Sequence, residues 1–192
     1  MKDVGIIFAS TTNGGIGYQN TLPWNIPDEL KHFRKITTTV NNNAKRNCII
    51  MGKNTWHSIP NAPLKKRVNI IITSNEYEKM KKEIDNGDDI IVVDSIEMAI
   101  NHLNRNDDIE SGFIIGGALL YNECLNKHLD KIKYTYVTLI FDKKYECDKF
   151  IDMRLIYDNF SIEKQDIVVT DKYISMKCVN KNYPEIIDEP PD

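Results

Sequence analysis

A carboxylate set into an apolar helical face is the first feature of this sequence that could do chemistry. The segment PDELKHFRKIT opens on Pro27, which suits a first helical position, and carries acids in its first turn. At about 100° per residue, Leu30, Phe33 and Ile36 form one apolar stripe, and Glu29 falls between Phe33 and Ile36. Asp28 falls on the far side with Lys31 and Lys35. Two readings of Glu29 stand side by side. It caps the helix or sits at the wet end of the stripe, or it lies in a greasy cleft. There it would bind a cationic or amidine-like ligand edge, and desolvation would ready it for proton transfer. A second chemistry belongs to glycine-bearing strand ends. In Ile114-Ile115-Gly116-Gly117-Ala118 a strand turns into a helix whose first amides can receive phosphate. Met51-Gly52-Lys53-Asn54-Thr55-Trp56 adds a cation and a hydroxyl at a similar place. Alone, either is a weak motif, more often a tight turn than a site. Two in one parallel sheet could hold the two halves of a dinucleotide.

The elements that must position these residues follow from short apolar runs. Val4–Ser10, Cys48–Met51, Val68–Thr73, Ile90–Val93 and Ser111–Gly116 read as buried strands. Helical patterns occupy Tyr77–Ile84, Ile96–Leu103 and Gly117–Leu125, and a glycine-rich loop spans Thr11–Trp24. Strands alternating with helices imply an α/β fold, with a mainly parallel sheet of about eight strands and helices on both faces. Lys133–Thr138, Phe150–Ile151, Ser161–Val168 and Lys172–Val179 then follow with no helix between them, which predicts an antiparallel edge. Residues 1–180 read as one domain, and 181–192 as a loose acidic tail.

The 192 residues carry 25 Lys+Arg against 28 Asp+Glu, a net charge of −3, which argues against a dedicated nucleic-acid binder. No apolar stretch is long enough to span a bilayer, so no membrane partner is expected. Cys48, Cys124, Cys147 and Cys178 are widely spaced and read as free thiols of a reducing compartment, the cytoplasm. They and His32, His57, His102 and His128 show no metal-ligand spacing.

Taken in order, these segments resemble the dihydrofolate reductase family from Val4 to about Val179. The resemblance rests on VGIIFAS, NGGIGYQNTLPW, DELKHFRKIT, IIMGKNTWHSIP, PLKKRVNIIITS, IIGGALLY and TYVT. It implies reduction of 7,8-dihydrofolate with NADPH as cofactor, dihydrofolate and antifolates as ligands, and a monomer unless the chain is fused to thymidylate synthase. Glu29 matches the acid that pairs with the pterin, and Thr138 the threonine that supports it, directly or through water. Phe33 would pack on the pterin, with Ile7 and Ile115 supplying carbonyls near its amino group. Leu22 and Trp24 belong to the closing loop, where Trp24 helps hold a water. Ile59, Pro60 and Leu64 would line the aminobenzoyl slot, and Arg67 would take the substrate's α-carboxylate. On the cofactor side the resemblance implies Ala9, Ile16 and Gly17 at the nicotinamide, and Lys53, Asn54 and Thr55 at the phosphates and ribose. It implies Gly116, Gly117, Ala118, Leu119 and Tyr121 around the pyrophosphate, with the Gly116–Gly117 peptide cis. Thr73, Ser74 and Asn75 would meet the adenosine phosphate.

Two departures bear on the cofactor. Where relatives that prefer NADPH usually carry basic residues, this chain has Asn75 and Asp94. The expected preference for NADPH over NADH is therefore reduced and rests on Lys53, Thr73 and Ser74. Two other readings compete: a reductase of the riboflavin pathway on the same fold, and a non-catalytic folate- or dinucleotide-binding module. Glu29, Phe33 and Arg67 together answer folate's pterin, ring system and glutamate, which argues against the first. The tail would be either a linker stump or a simple end.

Overall fold

The computed structural model describes residues 1–141 and 144–184. Along the chain run β1 (Val4–Thr11), β2 (Gly15–Gly17), α1 (Pro27–Thr38), β3 (Arg46–Gly52), α2 (Lys53–Ser58), β4 (Arg67–Ile72), α3 (Tyr77–Ile84) and β5 (Ile90–Val93). They continue as α4 (Ile96–Arg105), β6 (Ile109–Gly116), α5 (Ala118–Lys127), β7 (Tyr134–Ile140), β8 (Lys149–Phe150), α6 (Met153–Asn159), β9 (Phe160–Val169) and β10 (Tyr173–Asn180). Eight strands form one sheet in the order β5-β4-β3-β6-β1-β7-β10-β9. The first six are parallel neighbours, while β10 runs antiparallel between β7 and β9.

Burial on both faces explains the uninterrupted apolar runs. Successive side chains of a strand point to opposite faces. Thus Ile6, Ile50, Ile70 and Ile114 pack under α4, α5 and α6 through Leu103, Leu120 and Ile156. Their neighbours Ile7, Ile49, Met51, Ile71 and Phe113 face the other way, against Phe33 and Ile36 of α1, Trp56 of α2 and Met80 of α3. The expected mixed sheet with an antiparallel edge is the observed one. No helix among the described residues is long and apolar enough to cross a membrane.

Three expectations are corrected. A helix does separate the late strands: α6, only seven residues long, opened by Asp152, whose side chain accepts from the Arg154 amide. Its buried Met153 and Ile156 are too few to stand out as a helical stripe. The Phe150–Ile151 run does not join the main sheet. Lys149–Phe150 instead pairs with Gly15–Gly17 in a separate ribbon that ties down the glycine loop. Leu30 is 46% exposed, because the inward face of α1 centres on Glu29, Phe33 and Ile36 and leaves Leu30 at the rim. Of the acidic tail, residues 185–192 lie outside the described residues.

Candidate active site

The carboxyl ends of the parallel strands open into a groove of about 740 Å³ that follows the strand order from β5 to β1. Ligands of open α/β sheets bind at this end. On the β5 side the groove is lined by Thr73, Ser74, Asn75, Asp94 and Ser95. Its middle is lined by Lys53, Asn54 and Thr55 of α2 and by Gly117, Ala118, Leu119 and Tyr121 at the start of α5. Ala9, Ile16, Gly17, Leu22 and Ile115 close the β1 side. Every residue expected around a dinucleotide lies here except Gly116, one residue back at the end of β6.

These residues fit a pyrophosphate-bearing cofactor. The Gly116–Gly117 peptide is cis. Gly116 has φ +112°, and a Cβ there would sit 3.0 Å from the Tyr121 ring. A Cβ on Gly117 would meet Thr55 Oγ1 at 3.2 Å, so bare backbone borders that hydroxyl across the groove. Among the described residues no side chain caps α5, so its first amides could receive a ligand anion. Lys53 is the cation of this stretch, and its ammonium is paired with the Glu76 carboxylate.

On the α1 side, the residues expected around the substrate ring gather in one apolar cluster. Ile7, Phe33, Ile59, Leu64 and Ile115 all pack together there. Ile115 also lines the groove, so the two regions share a wall. Glu29 is 6% exposed on the inner face of α1, and among the described residues its carboxylate has no cation and no hydrogen-bond donor. Burial alone pushes its carboxyl up from 4.5 to about 7. The reading of Glu29 as a carboxylate in a greasy cleft is the one the geometry supports. Asp28, by contrast, is exposed and paired with Lys31 at 2.9 Å.

The raised value of Glu29 has a sign that stability can read. Folding raises its proton affinity, so stability fully present below 4.5 is lost as pH rises to about 7. The loss amounts to roughly 3 kcal/mol. Glu29→Gln is expected to melt several degrees above wild type near pH 8, at about 2–4 °C per kcal/mol for a chain of this size. The gap should shrink toward acid pH. Calorimetry across that range checks it, and a gap that does not vary with pH would contradict it.

Thr138 does not meet Glu29 directly. Its hydroxyl donates to Ser175 Oγ at 3.1 Å, its partner across the β7–β10 ladder, and Ser175 Oγ lies 2.9 Å from His32 Nε2. His32 stands three residues after Glu29 on the helix, so a polar chain runs beside the buried acid. Tyr121 donates its hydroxyl to the Ile7 carbonyl at 2.8 Å and thereby pins β1 to α5. Trp24 is buried, and its Nε1 has no acceptor among the described residues. Leu22, 51% exposed, borders the groove from the loop above.

Arg67, expected at the surface end of a strand, is 4% exposed. Its guanidinium donates to Thr37 Oγ1 at 2.8 Å and to the Lys65 carbonyl at 3.2 Å, with no carboxylate at ion-pair distance among the described residues. Burial, with Arg34 nearby, pulls its value down to about 10. A buried guanidinium with no carboxylate beside it has donor capacity that a ligand anion could fill.

Sequence reasoning missed Ser175, His32, Glu76 and Lys149. Ser175 becomes visible only once the β7–β10 register is known. His32 follows from α1 once Glu29 is placed inward, since residues three apart share a face. Glu76 and Lys149 carry no local motif; tertiary folding alone brings Lys149 to the groove and Glu76 to the ammonium of Lys53.

Comparison with known proteins agrees with this geometry. The dihydrofolate reductase family model matches residues 3–184. The dihydrofolate reductase of Heliothis virescens is 33% identical over 172 residues, covering 88% of this chain and 85% of that protein. That of Candida albicans is 43% identical over 130 residues, covering 66% of this chain and 64% of its own. The bifunctional dihydrofolate reductase-thymidylate synthase 1 of Arabidopsis thaliana is 35% identical over 153 residues, which are 76% of this chain and 28% of that longer protein. The chain belongs to the dihydrofolate reductase family and is an oxidoreductase that reduces dihydrofolate to tetrahydrofolate.

Proposed function

We propose that residues 1–180 form one catalytic domain that binds NADPH along the groove and 7,8-dihydrofolate against α1, with Glu29 as the internal proton source. One continuous sheet and a family match over residues 3–184 support the single domain. The observation that supports the site is Glu29: a buried carboxyl with no partner among the described residues, beside an apolar cluster that shares Ile115 with the groove. A flat pterin suits that slot, because its amino and ring N–H edge supplies the donors Glu29 lacks.

A dihydronicotinamide held along the groove by α2 and the start of α5 would supply the hydride that C6 of the dihydropterin needs. The adjacent N5 must gain a proton, and Glu29 holds one near neutrality because burial disfavours its ionised form. A water held by Trp24 Nε1, buried without an acceptor among the described residues, is the proposed carrier to N5. Phe33 and Ile115 fix the ring's plane, Ile59 and Leu64 hold the aminobenzoyl group, and Arg67 takes the α-carboxylate. The loop carrying Leu22 shields the reacting rings from bulk water. Thr73, Ser74 and Lys53 receive the adenosine phosphate, and α5 the pyrophosphate.

The test is loss of NADPH absorbance on adding dihydrofolate to the purified chain. Turnover on the order of 1–10³ s⁻¹ is expected. Methotrexate binding without turnover would instead support a non-catalytic folate-binding module.

A further inference from the structure

The β5 side of the groove has an unusual charge arrangement for a surface asked to hold an extra phosphate. Among the described residues lining the groove, Lys53 follows the end of β3, which pairs with the end of β4 that leads into Thr73 and Ser74, and Asp94 is an acid on the same wall. Lys149, the other lining cation, lies on the ribbon beside Gly17 at the opposite side. The Lys53 ammonium is not free: it donates to Glu76 Oε1. Glu76 stands at the start of α3 but makes no capping hydrogen bond there, so its carboxylate serves Lys53 instead. Lys79 and His57 face the same carboxylate from α3 and α2.

From this geometry we propose that Glu76 is a specificity-determining residue that weakens selection of 2′-phosphorylated over unphosphorylated nicotinamide dinucleotides by holding Lys53. The inference rests on the cofactor reading above. A 2′-phosphate arriving beside Thr73 and Ser74 needs the Lys53 charge. Because the Lys53–Glu76 pair is partly exposed, the cation can be recruited at little cost. The Glu76 carboxylate then remains within a few ångströms of a dianion and repels it. A 2′-hydroxyl carries no charge and feels neither the attraction nor the repulsion. Removing the Glu76 charge should therefore act mainly on the 2′-phosphorylated cofactor, leaving the Lys53 and Lys79 ammonium groups without that carboxylate.

The experiment measures dissociation constants of NADPH and NADH by protein fluorescence quenching, for wild type, Glu76→Gln and Glu76→Asp. Glu76→Gln is expected to tighten NADPH by about 5–30-fold while NADH stays within about twofold. At about 1 M salt, where charges are screened beyond ~3 Å, the gain should largely vanish. Glu76→Asp keeps the charge and should keep most of the wild-type ratio. Equal changes for both cofactors, or weaker NADPH binding by Glu76→Gln, would overturn the inference while leaving the cofactor reading intact. If the wild-type chain bound neither dinucleotide, the cofactor reading itself would fall and the inference with it.

Discussion

Glu29→Gln is expected to lower kcat at neutral pH by about a hundredfold to ten-thousandfold, the range removed with a positioned proton donor. Glutamine is nearly isosteric and still offers one acceptor oxygen to the pterin edge, so the dihydrofolate KM should change far less. That split separates proton supply from binding, because losing an interaction common to ground and transition state would raise KM instead. The deficit should narrow toward acid pH, where solvent can protonate N5 without an internal carrier. Steady-state kinetics measure both effects. Near-wild-type turnover would remove Glu29 from the chemistry, whatever its burial. The same substitution should stabilise the ligand-free chain above pH 7, so a lower rate would not reflect a damaged fold. Function and stability are thus expected to move in opposite directions at this residue, as active-site groups held in unfavourable surroundings commonly do.

Arg67→Leu is expected to raise the dihydrofolate KM by about 10–150-fold, the equivalent of a charged hydrogen-bond set worth about 1.5–3 kcal/mol. The kcat should change little, since the α-carboxylate lies far along the substrate from C6 and N5. A dihydropterin without the glutamate should be reduced equally well by both proteins, which assigns the loss to the carboxylate. Arg67→Lys should recover only part of the affinity, because an ammonium cannot reproduce the two parallel donors of a guanidinium. Stability should hold in Arg67→Leu. It removes a buried charge that no carboxylate of the described residues neutralises, at the cost of the Thr37 and Lys65 hydrogen bonds. A KM unchanged in Arg67→Leu would place the substrate's tail elsewhere.

The parallel core was legible because β3 and β4 are buried on both faces, and only continuous apolar runs satisfy that. The start of α1 was legible from Pro27 and the acids after it, and Glu29 from its place inside the stripe. Leu30 was misread because helical spacing gives the angle of a side chain but not where the supporting sheet ends. The small ribbon of Gly15–Gly17 with Lys149–Phe150 left no trace, since two- and three-residue strands have no periodicity to detect. The Thr138–Ser175–His32 chain and the Lys53–Glu76 pair were hidden for a different reason. Each joins residues far apart in sequence, through the β7–β10 register in one case and the paired ends of β3 and β4 in the other.

The most direct measurement is the pH dependence of kcat/KM for dihydrofolate in wild type and Glu29→Gln, since this quantity reports ionisations of the free enzyme. Wild type is expected to lose activity above a break at about 7, where the buried carboxyl gives up its proton. Glu29→Gln is expected to lack that break and to rise steadily toward acid. Two profiles of the same shape, breaking at the same pH, would show that residue 29 is not the group whose proton drives the reaction.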